Sequence, residues 1–141
     1  MSTIYYARWL LSAEQEIIVN GALSVSGNKI NAVGPRSKVP RLQGDRTVNL
    51  GDQLVLPGLI NAHSHLEESV VRGIPCEENE TFASWLAKKN SRIKNAAVET
   101  IMPAIRLGIR ESLTNGATTI VDSSRTGNSL VVLKDEPVRA W

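Results

Sequence analysis

Over residues 4 to about 56 the apolar positions fall in short runs broken by turn residues, the pattern of β-strands. The run at 17–25 meets Gly27-Asn28-Lys29, and Ile30, Ala32 and, after a slip, Val33 follow it, which predicts a β-hairpin closed off by Gly34-Pro35. Residues 40–46 read as polar loop, and Val48-Asn49-Leu50 before Gly51-Asp52 as one more short strand and a turn. This is a small all-β segment with little room for its own core. The pattern then changes. Residues 54–65 are apolar on both faces as far as Asn61, which predicts a strand buried in a parallel sheet. Residues 66–80 read as a loop carrying Gly73, Pro75 and the acidic group Glu77-Glu78-Asn79-Glu80, which is either a solvated tip or a favourable charge near the next helix's N-terminus.

Thr81 is a good N-cap for that helix. Behind it Phe82, Trp85, Leu86, Ile93, Ala97, Ile101, Ile105, Ile109 and Leu113 recur at helical spacing. Pro103, inside the pattern, is expected to kink the helix or start a new one. Asn115-Gly116 supplies a C-cap, and the β-branched run 117–122 predicts another strand. The order strand, long helix, strand is a βαβ unit with a parallel pair. Residues 123–141 begin a further loop and helix.

The candidate chemistry sits at the end of the strand predicted over 54–65. His63 and His65 flank Ser64, and the chain contains no other histidine. Residues two apart on a strand point the same way, so the two imidazoles are expected side by side, with Ser64 facing away. On spacing alone, two unrelated histidines near a turn are the favoured reading. The apolar run feeding the pair and the Pro57-Gly58 entry favour half of a zinc or iron site. A pair at the C-terminal end of a strand lies where a parallel (β/α) barrel keeps its active site.

Composition narrows the class. The 141 residues carry a formal charge of +2 with 42% hydrophobic and 21% charged residues, as in an ordinary soluble domain. The basic residues are scattered and aromatic content is 4%, which argues against a nucleic-acid surface or a base-stacking platform. No apolar stretch approaches the roughly 18 residues of a membrane span. The N-terminus lacks a basic segment leading into an apolar core and cleavage site. The single cysteine, Cys76, fits a reducing compartment, as a free loop thiol rather than a ligand. A cytoplasmic location is expected.

The run 56–66, Leu-Pro-Gly-Leu-Ile-Asn-Ala-His-Ser-His-Leu, resembles the amidohydrolase superfamily, in particular its aminohydrolase branch of deaminases and triazine chlorohydrolases. Arg72-Gly73, Trp85-Leu86, 115–119 and Asp122 support the resemblance, and Tyr6-Ala7-Arg8-Trp9, Asn20-Gly21-Ala22 and 30–34 resemble that family's N-terminal β-domain. Asn61 stands where hydantoinases and dihydroorotases usually carry aspartate, which tilts the resemblance toward deaminase-like members. The resemblance implies an α/β fold: the N-terminal part of a (β/α)8 TIM-like barrel over 57–141, preceded over 1–56 by part of a small β-sandwich. It implies a divalent metal, zinc first and iron as the alternative, held by His63 and His65 together with histidines on strands five and six and an aspartate on strand eight. The reaction it implies is hydrolysis of a non-peptide C–N or a C–halide bond in a small heterocyclic substrate, with no nucleic acid or membrane partner and with homo-oligomers among the options. A whole barrel needs about 250 residues, so the remaining ligands and the catalytic acid and base are expected beyond Trp141. The 141 residues alone are then expected to lack turnover.

Other residues keep two readings. Glu67 and Glu68 either touch substrate or stay solvated, and Arg72 either binds an anionic group or pairs with a loop carboxylate. Trp85 is either core or a substrate lid, and Asp122 a loop-fixing group rather than the family's metal-binding aspartate. Several deaminases carry a substrate-binding glutamate further along the Trp85 helix, where Lys94 stands here, which counts against adenosine-type substrates. The alternative to an enzyme segment is a truncated, non-catalytic relative that uses the fold for assembly or binding.

Overall fold

A computed structural model describes residues 1–141, which form two compact units, Met1–Pro57 and Gly58–Trp141. In the first, β1 (Thr3–Leu11), β2 (Ile17–Ser26), β3 (Lys29–Pro35), β4 (Arg46–Asn49) and β5 (Leu54–Val55) make one five-stranded sheet in the order β3-β2-β1-β4, with β5 also on β1. β2 and β3 form the expected hairpin, with Ser26 opposite Lys29 and a register shift after Ser24. The core is small: Ile4, Ala22 and Val39, with Tyr6 and Ala32 packed against them.

In the second unit β6 (Leu59–Ser64) pairs parallel with β7 (Ala117–Asp122), and β7 with β8 (Arg139–Ala140). The apolar run at 54–65 is therefore two strands rather than the single one expected. Leu54 and Val55 pair with Trp9 and Leu10, whereas Leu59 opens a different sheet. Pro57 offers no N–H to either ladder. Gly58 follows because a Cβ there would collide with the Thr118 side chain. The expected burial of β6 on both faces is also corrected. Leu59 is 52% and Ile60 68% exposed, because β6 has a neighbour on one edge only and these residues lack the second covering layer that a parallel strand usually has.

The segment expected as loop after the histidines begins as a 3₁₀ helix, Leu66–Val71. The single long helix is also two: α1 (Phe82–Lys94) and α2 (Val98–Thr114). Thr81 caps α1, its side chain accepting from the Ser84 N–H at 3.2 Å. The break falls at residues 95–97, and Ala97 is the N-cap of α2 rather than a core position. Pro103 stays inside α2. Ile101, Ile105 and Ile109 run past it as one buried stripe. Burying each is worth about 1.5–3 kcal/mol, enough together to offset the roughly 3 kcal/mol that an internal proline costs. Gly116, at φ +86°, ends α2 as expected, and its carbonyl accepts from the Leu59 N–H at 2.8 Å. Phe82 is not core: it is 70% exposed. Ile93, Ile120, Val132 and Leu133, the last two from α3 (Asn128–Leu133), complete this core around Leu66 and Val71.

One buried charge ties these parts together. Glu67 is 2% exposed, and its carboxylate accepts from the Ser124 hydroxyl (2.5 Å), the Arg125 N–H (2.9 Å), the Thr126 N–H (3.0 Å) and hydroxyl (2.7 Å), and the Asn128 N–H (3.1 Å). Burial pushes the carboxyl up, but the hydrogen bonds from the Ser124 and Thr126 hydroxyls and from the Arg125 and Thr126 N–H groups outweigh it and hold the pKa at about 2.

Two outcomes follow for stability. Gly58→Ala is expected to lower stability by about 1–3 kcal/mol through overpacking, read as the urea midpoint, and Thr118→Ala in the same chain to recover part of the loss. For Glu67 the folded pKa lies below the ordinary 4.5. Its contribution is therefore present in full above pH 4.5 and lost as pH falls from there through about 2. The shift corresponds to on the order of 3 kcal/mol. Urea midpoints followed through that window are expected to fall with pH in the wild type and to fall less steeply in Glu67→Gln, the remaining slope coming from other carboxyls held below their ordinary values, such as Glu111.

Candidate metal centre

β6 delivers the two histidines to one place. Their ring centroids lie 4.9 Å apart, the rings perpendicular. The strand is not regular there: Asn61 pairs with Ile120 and Ser64 with Asp122, so β6 carries one residue more than β7 over this stretch. Such a bulge re-aims the side chains it carries. The Asn61 side-chain oxygen accepts from the His63 N–H at 3.3 Å across the irregularity. His65 stands just past the strand, as the N-cap of the 3₁₀ segment.

His65 is the better fixed of the two. Its Nδ1 lies 3.0 Å from the Ser123 carbonyl oxygen. A carbonyl oxygen only accepts, so Nδ1 carries the proton. In the neutral ring Nε2 then holds the free lone pair, the state a metal-binding imidazole needs. The chain around the contact is held from several directions. The Ser123 N–H donates to the Ser64 carbonyl at 2.8 Å, and the Leu66 N–H to Asp122 Oδ1 at 2.8 Å. Asp122 is thus a loop-fixing group, as its position suggested, although its Oδ2 is buried without a partner.

The remaining candidates do not converge on the imidazoles. The Glu67 carboxylate is fully engaged by residues 124–128, which corrects the picture of a solvated or substrate-touching loop glutamate. Glu68 lies 2.7 Å from Lys89 Nζ and 3.9 Å from Arg125. Arg72 pairs in bidentate fashion with Glu111 of α2, with Nη2 to Oε2 at 2.7 Å and Nη1 to Oε1 shorter still. The pairing raises the guanidinium pKa further and holds the Glu111 carboxyl below the usual carboxylate range. The carboxylate partner anticipated for Arg72 therefore lies on a helix rather than a loop. Trp85 donates from Nε1 to the Ile74 carbonyl at 3.3 Å and lies beside Phe82, with Lys89 Nζ 5.0 Å from its ring. Cys76 is exposed and free.

An open cleft of about 470 Å³ is lined by β6, the 3₁₀ segment with its caps, and α2, among them Asn61, Ser64, His65, Arg72 and Glu111. It takes in His65 but not His63, so it is not where the two imidazoles meet. No group of three or more His, Cys, Asp or Glu side chains is placed to hold a metal ion. A zinc site needs at least three protein ligands, so these two imidazoles do not make one by themselves. The Ser123 carbonyl and the Glu67 clamp are absent from the sequence reading above. The one signal that pointed to them was the Ser/Thr/Asn-rich stretch after the strand, 123–128, rich in short-range hydrogen-bonding groups.

A 5-methylthioadenosine/S-adenosylhomocysteine deaminase from Lawsonia intracellularis is 31% identical over 124 residues, which span 85% of this chain and 28% of that protein. The crystal structure of an atrazine chlorohydrolase from Arthrobacter aurescens TC1, complexed with zinc, superposes at a TM-score of 0.79 with 25% identity, over 98% of this chain and 34% of that one. An adenosine deaminase from Xanthomonas campestris with bound zinc gives 0.72 at 22% identity over 98% of this chain and 32% of its own, a likeness of fold alone. The fold is α/β and matches part of these TIM-barrel hydrolases, and the chain spans well under half the length of each relative. The amidohydrolase family model matches residues 54–139, the stretch that carries both histidines, and this chain belongs to that family.

Proposed function

We propose that these residues are the N-terminal β/α units of a longer metal-dependent hydrolase that cleaves a non-peptide C–N or a C–halide bond in a small heterocyclic substrate. The observation that carries the reading is the pair of adjacent imidazoles at the end of β6, with His65 held by Ser123 in the tautomer that leaves Nε2 free. The residues fit a divalent metal. His63 and His65 would hold it, and zinc is favoured because two neutral imidazoles suit it and because the related chlorohydrolase structure is complexed with zinc. Bound zinc would let water act as a nucleophile near neutral pH.

This chain's own contribution is positional. Asn61 and the bulge in β6 orient His63, Ser123 sets the proton on His65, and Asp122 fixes the turn that follows. The acid and base that move protons to the leaving group lie outside these residues. Deaminase and chlorohydrolase relatives together favour an amine or a halide as that group. Arg72, Glu67 and Trp85 hold the structure here, so we assign substrate choice to barrel loops elsewhere. No helix is long and apolar enough to cross a membrane, and the free Cys76 favours a reducing compartment such as the cytoplasm.

A non-catalytic relative of the fold is the second reading, favoured by the absence of a third ligand among these residues. Metal analysis of the native protein carrying this segment separates the two. About one zinc per chain is expected, falling to a tenth or less in His63→Ala and His65→Ala, with hydrolase turnover lost in step. The 141 residues expressed alone are expected to bind zinc weakly and show no turnover. Native protein that carries no metal, or a His63→Ala variant that keeps its zinc, sinks the enzyme reading in favour of the second.

A further inference from the structure

We infer that Glu67 is a positioning residue for His65, acting through the backbone of the loop after β7; the inference rests on the metal-site reading above. The Ser123 carbonyl that accepts from His65 belongs to the peptide unit joining Ser123 to Ser124. One side of that unit is held by the sheet, through the Ser123 N–H on the Ser64 carbonyl at 2.8 Å. The other side is held by Glu67, through the Ser124 hydroxyl at 2.5 Å and the Arg125 N–H at 2.9 Å. Thr126 and Asn128 bind the same carboxylate, so the chain from 124 to 128 wraps around it. With both sides held, the plane of the peptide cannot rotate and its oxygen stays aimed at Nδ1.

The clamp and the ligand are also two residues apart on one short segment. His65, Ser123, Ser124 and Glu67 form a closed ring of contacts. A shift of the loop changes the imidazole, and it does so without breaking the strand end, because the Leu66 N–H on Asp122 and the Ser123 N–H on Ser64 do not involve Glu67. Free imidazole in water favours the Nε2–H tautomer, the wrong one for a ligand that binds through Nε2. Holding the proton on Nδ1 is therefore work that the surroundings of His65 must do.

Glutamine does not replace the clamp. Glu67 Oε2 accepts from two backbone N–H groups and Oε1 from a third, and backbone donors cannot reverse. Either orientation of an amide places its NH2 against at least one of them. The test uses the native protein, with the imidazole nitrogens observed by ¹⁵N NMR in the metal-free state and the His65 signals assigned by comparison with His65→Gln. Zinc affinity is measured separately by chelator competition. Wild type is expected to show Nδ1 protonated on His65. Folded Glu67→Gln is expected to shift toward Nε2–H and to bind zinc about tenfold more weakly or worse. Thr126→Val keeps the backbone donors to Glu67 and removes the Thr126 hydroxyl, with its bond to the carboxylate and those it accepts from Asn128; it is expected to move both readouts the same way by less, and it decides the question if Glu67→Gln does not fold.

An unchanged His65 tautomer and a zinc affinity within twofold of wild type, in a folded Glu67 variant, would overturn the inference while zinc loss in His63→Ala leaves the metal reading standing. The tautomer shift in a protein whose wild type binds no zinc supports the positioning role and removes the metal reading instead.

Discussion

The parallel pairing of β6 with β7 is the constraint from which the second unit follows. Parallel strands cannot be joined by a turn: the chain must return to the end where it began, over a dozen or more residues. Here the return is made by the 3₁₀ segment, α1 and α2. Each must bury a face against the sheet or against its neighbours, and the isoleucine stripe of α2 with Ile120 of β7 at its centre does so. Because the strands run the same way, both finish at one end, and the loops leaving them meet there. That is why His65, leaving β6, and Ser123, leaving β7, stand 3.0 Å apart although 58 residues separate them.

The polar contacts at that end form one system rather than a set of independent bonds. Asp122 closes the backbone after His65, Ser123 closes the ring nitrogen, and Glu67 closes the loop that carries Ser123. A buried carboxylate without donors would carry a large desolvation penalty. Glu67 avoids it by collecting backbone and hydroxyl donors from residues 124–128 at the start of α3. Charge and loop therefore satisfy each other.

What the sequence made legible was local. Spacing of two placed His63 and His65 together, Thr81 and Asn115-Gly116 marked helix ends, and the positions of Ile101, Ile105 and Ile109 marked one buried stripe. These follow from fixed geometries of strand and helix that any short window contains. What stayed hidden depended on partners distant in sequence. Nothing near Glu67 announces that donors from 124–128 will surround it. Pro103 looked like the helix break because a single residue's penalty is easy to read, whereas the burial that offsets it is a sum over a face. The run 54–65 looked like one strand because its hydrophobicity is continuous; its division at Pro57-Gly58 is set by which strand each half pairs with.

On the proposed metal reading, the exposure of Leu59 and Ile60 and the lone pair of imidazoles at the end of β6 share one explanation. A parallel strand with apolar residues on both faces is built to be covered twice and paired on both edges. On that reading, a pair of imidazoles with one tautomer fixed likewise calls for further ligands. In both cases the local part is finished: the bulge, the Nδ1 contact and the Glu67 clamp all lie within residues 59–128. Long-range completion would then add ligands to a site whose orientation is already set, so that ordering these two histidines is not charged again against metal binding. A family whose relatives act on amines and on halides benefits from that division. The part that fixes the metal can stay constant while the loops that choose the substrate vary.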